Sequence, residues 1–92
     1  MLSLMNQIKS DDKKANIIFI NKEFYEFDDI RDYHDLQKFF NKKHKEGVQN
    51  YLFVDEIQEI SQFEKCIRNI FSKNLADIYI SGSNSDLLSS EL

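Results

Sequence analysis

Apolar positions in this chain follow two alternating patterns. Ile17, Ile18, Phe19 and Ile20 form an unbroken β-branched and aromatic run bounded by Asn16 and Asn21. Tyr51 to Val54 form a second such run, and Ile78, Tyr79 and Ile80 a third. Short runs with no helical period predict buried strands. Between them the spacing changes. Tyr33, Leu36, Phe39 and Phe40 recur three and four residues apart, which predicts a helix from about Asp32 to Glu46. Asp32 and Asp35 fall in its first turn, Lys42, Lys43 and Lys45 in its last, and Gly47 follows as a stop. Ser61-Gln62-Phe63-Glu64 spells a capping box ahead of a stripe of Phe63, Ile67, Ile70 and Phe71, with Asn74 as a left-handed cap.

The ends and connections are less regular. Leu2, Leu4, Met5 and Ile8 lie on one face of a short amphipathic helix, and the charged stretch Ser10 to Lys14 reads as a solvated turn. Phe24, Tyr25 and Phe27 predict an irregular connection whose rings cover a sheet edge by packing, in preference to stacking on a ligand. The third strand stops at Ser81-Gly82-Ser83-Asn84-Ser85, and a short helix begins near Asp86. Strands alternating with helices imply right-handed crossovers and a parallel sheet. The expected fold is α/β, three layers around a short parallel sheet of three strands, in a single domain over residues 1–92.

Composition narrows the function classes. Ninety-two residues, 41% hydrophobic with eight Phe and four Tyr, supply core material for one folded domain of modest stability. A net charge of −4 argues against a broad sequence-independent nucleic-acid surface. The basic cluster Lys42, Lys43, His44 and Lys45 reads as a solvated helix end, with a phosphate or nucleic-acid contact as the sharper alternative. His34 has no partner at metal spacing. The single Cys66 rules out an internal disulfide and a Cys-based zinc site, reads as core packing, and fits a reducing cytoplasm. No run approaches the roughly 20 apolar residues of a membrane span, and no signal peptide is visible.

The chemistry concentrates where the second apolar run meets Asp55 and Glu56. In an open α/β sheet, ligands bind outside the carboxyl ends of the strands, so these two acids stand where such a sheet works. Adjacent carboxylates at a strand end can diverge, one toward a metal and the other toward a water nucleophile. Ser83 and Asn84, uncharged hydrogen-bonding residues beyond Gly82, end the third strand.

From Asn16 onward the chain resembles the middle of prokaryotic AAA-type P-loop ATPases. "LFVDEIQ" matches the Walker B strand and "YISGSNSDLL" the sensor segment, with Gln58, Phe63, Glu64 and Arg68 also in family positions. The resemblance implies Asp55 for magnesium, Glu56 as catalytic glutamate, and Asn84 or Ser83 as the nucleotide sensor, with Mg2+ and ATP as cofactors of the family. One departure is informative. A phosphate loop needs GxxxxGK followed by Ser or Thr, and neither Gly47 nor Gly82 is followed by Lys.

Residues 1–15 look like the helix that follows that loop in the family, so the chain is expected to be a fragment, natural or artificial. It would carry the Walker B and sensor half of an ATP site and bind no cofactor tightly by itself. Its strands then match the family's second, third and fourth, which are neighbours. The Ile78 to Ser81 strand loses a partner, and its free edge predicts self-association. The alternative is a small α/β interaction module without catalysis, indifferent to Asp55 and Glu56. A third reading, a magnesium-dependent nuclease using Asp55, Glu56 and Glu59, lacks a lysine placed to stabilise the leaving charge.

Overall fold

The computed structural model describes residues 2–82, so Ser83, Asn84 and the expected helix from Asp86 lie outside the described residues. Six main elements follow in order: α1 (Leu2–Asp11), β1 (Asn16–Asn21), α2 (Tyr33–Lys43), β2 (Asn50–Asp55), α3 (Phe63–Ser72) and β3 (Asp77–Ile80). Single 3₁₀ turns at Tyr25–Phe27 and Ile57–Glu59 follow β1 and β2. The three apolar runs become the three strands, all parallel, in the order β1-β2-β3.

β2 is central because it is apolar on both faces. Leu52 and Val54 join Ile18 and Ile20 of β1 in a core shared with Leu36 and Phe40 of α2 and Phe63, Cys66, Ile67 and Ile70 of α3. Phe53 points the other way and is fully buried with Ile8 of α1 and Ala15, its ring stacked on Tyr79 at 4.9 Å. Helices therefore cover both faces, giving three layers. The layers are unequal: α1 covers its face with Ile8 and a half-buried Met5, while Leu2 and Leu4 are exposed.

Several local expectations are corrected. The helix beginning at Asp32 stops at Lys43, short of Glu46, because His44 turns extended and the Asn50 side chain captures the next residue. Asn50, 2% exposed, accepts from the Lys45 amide (3.0 Å) and from Asn16 Nδ2 (2.7 Å). It donates to the carbonyls of Lys45 (2.8 Å) and Val48 (3.1 Å). Gly47, at φ 78°, sits within the turn that this side chain organises.

The capping box does not form at Ser61. α3 starts after Gln62, a left-handed residue at φ 53° with no side-chain cap. Ser61 is occupied otherwise: its amide donates to Arg31 O (2.9 Å) and its carbonyl accepts from the Tyr33 amide (3.0 Å), a bridge joining the starts of α2 and α3. Reciprocal capping occurs at α2, where Asp32 accepts from the Asp35 amide and Asp35 from the Arg31 amide, both at 3.0 Å. That Arg31 amide is the main influence holding the Asp35 carboxyl below its ordinary value.

Cys66 replaces Phe71 in the buried stripe of α3, and Phe71 is 57% exposed. Burial pushes the Cys66 thiol up to about 11. The helix does end as read. Asn74 is left-handed, with its amide on Phe71 O and that of Leu75 on Ile70 O, the paired bonds of a Schellman cap. α1 continues to Asp11, into the stretch expected to be a turn. Of the three aromatic residues after β1, Phe27 alone covers the β1 edge, meeting Phe19 and Phe39 edge-on at 6.4 and 6.2 Å. Phe24 and Tyr25 stay exposed.

Candidate functional site at the carboxyl end of the sheet

Strand register decides which side chains meet. Asn21 is level with Asp55, and Val54 with Ile80, so Ser81 follows β3 at the height where Asp55 follows Val54. Backbone bonds continue the ladder past both strand ends: Ser81 N donates to Val54 O (3.0 Å), Ile57 N to Ser81 O (3.1 Å) and Lys22 N to Asp55 O (3.2 Å). The end of β2 is therefore held from both sides by neighbours that are themselves fixed.

Asp55 is half-buried, and its Oδ1 accepts from the Ser81 hydroxyl at 2.6 Å and from the Glu56 amide at 3.0 Å. Both bonds are charge-assisted, and the first has the short length of a hydroxyl donating to a carboxylate. Oδ2 has no hydrogen-bond partner among the described residues. Asp55 thus shows one satisfied oxygen and one open one.

Glu56 is separated from Asp55 by a backbone reversal. Its φ of 58° and ψ of 46° are left-handed, which for a residue with a Cβ costs about 1–2 kcal/mol. This kink throws the chain into the Ile57–Glu59 turn, where Ile57 is buried. The Glu56 carboxylate is half-buried and accepts from Gln58 Nε2 at 2.5 Å. Two consecutive acids are so gripped by two different neutral donors. Strained non-glycine residues of this kind concentrate at functional sites.

The other candidates fall elsewhere. Lys42, Lys43 and Lys45 are exposed around the C-terminus of α2, near Asn50, which begins the strand that Asp55 ends. Lys43 lies 5.7 Å from the centre of the Phe39 ring. The cluster is a solvated helix end, remote from the two acids. His34 is exposed beside Tyr33. Glu59 is exposed, and among the described residues no group of three His, Cys, Asp or Glu is arranged to hold a metal, so the nuclease set Asp55, Glu56 and Glu59 is not assembled. No helix among the described residues is long and apolar enough to cross a membrane.

Sequence reasoning missed two participants. Ser81 read only as the residue at which the third strand stops, and its contact with Asp55 emerges only once β3 is in register with β2. Gln58 was noted for the family resemblance alone. Its spacing of two residues from Glu56 was a usable signal, but only if the chain reverses at Glu56.

Comparison with known proteins adds the family. A family model described as an AAA domain matches residues 2–92. An uncharacterized protein of Haemophilus influenzae is 33% identical over 78 residues, which are 84% of this chain and 20% of that relative. The chain thus spans about a fifth of that relative's length. No solved structure matches. The parallel α/β sheet, the acids ending its central strand and a family match over residues 2–92 agree, and the chain belongs to the AAA domain family of P-loop ATPase-like proteins.

Proposed function

We propose that these residues form the Walker B and sensor portion of an ATPase site, with Asp55 as the magnesium carboxylate and Glu56 as the residue that orients the attacking water. Ser83 and Asn84 supply the sensor, and the nucleotide is bound in a longer ATPase that provides a phosphate loop, since GxxxxGK is absent here. The observation carrying the reading is the pair of acids at the carboxyl end of the central strand, held by separate donors so that they do not share a ligand.

The donor set fits magnesium. That ion keeps several waters and takes one or two carboxylates together with phosphate oxygens, and Asp55 offers one open oxygen for that purpose. When bound, the ion supplies neutralisation of phosphate charge. Asp55 contributes a fixed negative charge at the strand end. Glu56, accepting from Gln58 on one oxygen, retains acceptor capacity for a water proton.

Titration calorimetry of ATP with magnesium tests this on the present chain, on Asp55→Ala and on Glu56→Gln. No measurable binding to any of the three is expected, because the phosphate cradle dominates triphosphate affinity. Micromolar binding that persists in Asp55→Ala would sink the assignment.

A second reading, a protein-interaction module, is favoured by one observation. Among the described residues no strand lies beyond β3, and Phe71 and Tyr79 are 57% and 36% exposed along that side. Self-association through the Ile78 to Ser81 edge follows from an unpaired strand. Light scattering should show mass rising with concentration, and a monodisperse monomer at high concentration would count against it.

A further inference from the structure

We propose that Ser81 is a positioning residue for Asp55, one that fixes which carboxylate oxygen a divalent cation or its water shell meets. The inference rests on the reading of Asp55 as the cation carboxylate. Three observations carry it. The Ser81 hydroxyl donates to Oδ1 at 2.6 Å, and the Glu56 amide donates to the same oxygen at 3.0 Å, so Oδ1 is engaged twice. Oδ2, on the same half-buried side chain, has no hydrogen-bond partner among the described residues. Ser81 is also rigidly presented: its amide is bonded to Val54 O, and its carbonyl accepts from the Ile57 amide. The hydroxyl thus arrives from an extension of the sheet and not from a free loop.

An aspartate at a strand end would otherwise rotate about χ1 among three staggered wells and about χ2 between its two oxygens, and so offer either oxygen, or both, to an ion. The Ser81 hydroxyl selects one well. With Oδ1 occupied, the carboxylate is restricted to single-oxygen contact through Oδ2, the mode suited to an ion that keeps its waters. A hydroxyl is suited to this task because it donates without adding charge. A lysine there would neutralise the carboxylate, and an acid would repel it.

The test uses NMR on the intact 92-residue chain, with Mn2+ alone as probe. Three-bond couplings should place Asp55 χ1 in a single rotamer. In Ser81→Ala, where the Glu56 amide alone still donates to Oδ1, the population of that rotamer should fall, with about one third, the value for three equal wells, as the lower limit. Mn2+ broadening of the Glu56 and Ile57 amides should fall several-fold with it, and Ser81→Thr, which keeps the hydroxyl, should restore both. A rotationally averaged Asp55 in the unsubstituted chain would overturn the proposal without recourse to any variant, as would a single rotamer that persists in Ser81→Ala. If Mn2+ leaves both amides sharp while the rotamer follows the hydroxyl, Ser81 positions Asp55 as proposed and the cation reading of Asp55 is what fails.

Discussion

Replacing Asn50 by Ala should be among the most damaging single changes available outside the aromatic core. Four hydrogen bonds end on this buried amide: two accepted by Oδ1, from Asn16 Nδ2 and the Lys45 amide, and two donated to the carbonyls of Lys45 and Val48. At a net value of about 1 kcal/mol each, their loss sums to roughly 4 kcal/mol. Two considerations reduce this. Asn16 Nδ2 keeps its bond to Lys43 O at 2.8 Å, and Lys45 is exposed, so its backbone groups regain water. The estimate is then about 2–4 kcal/mol, a large share of the roughly 5–14 kcal/mol available to a chain of this length. Urea denaturation followed by circular dichroism reads it out. With a slope of about 1–1.5 kcal/mol/M, the midpoint should fall by about 1.3–4 M. Gln49→Ala is the control, since its exposed amide makes a 3.3 Å contact to Asn50 O, and its effect should stay within about 0.5 kcal/mol. A midpoint shift of less than about 0.5 M for Asn50→Ala would refute the claim that this side chain organises the turn into β2.

Other expectations follow from single residues. Gln62→Gly should stabilise the chain by about 0.5–1 kcal/mol, because relief of the left-handed backbone at φ 53° exceeds the entropy glycine adds to the unfolded chain; thermal melts that show a lower Tm would contradict it. Cys66, buried and with its thiol pushed up to about 11, should react with a disulfide reagent at pH 8 far more slowly in the folded chain than in denaturant. Equal rates would show that α3 opens readily. Asp35 is held below the ordinary 3.8 of an aspartate chiefly by the Arg31 amide, so its contribution is complete above that value and is lost as pH falls through the lower folded one. Asp35→Asn should therefore lower stability at neutral pH, with the difference from the unsubstituted chain disappearing as pH falls below 3.8.

What could be read from residues alone was whatever local chemistry dictates. Ile17 to Ile20 and Tyr51 to Val54 are apolar on consecutive positions because both faces of their strands are covered, and such runs announce themselves without tertiary knowledge. Asn74 announced a left-handed cap for the same reason: few other residues tolerate that backbone. Ser61 was misread because its backbone is claimed by Arg31 and Tyr33, thirty and twenty-eight residues earlier, a long-range pairing with no local signature. The site divides likewise. Asp55 and Glu56 were legible as acids ending an apolar run, whereas Ser81 and Gln58 depend on register and on a reversal at Glu56. Ser83 and Asn84 lie outside the described residues.

The thin layer formed by α1 has a dynamic consequence. A helix anchored by Ile8 and a half-buried Met5, with Leu2 and Leu4 exposed, has little apolar surface opposing its release. Its amides should exchange with solvent through a local opening whose free energy lies well below that of global unfolding, while those of β2 exchange only when the whole chain unfolds. Lifting α1 would uncover Phe53 and Tyr51 without disturbing the Leu52 and Val54 side of the sheet, where α2 and α3 remain packed. One face of the central strand would then be intermittently wet, and the other dry, in the same folded molecule.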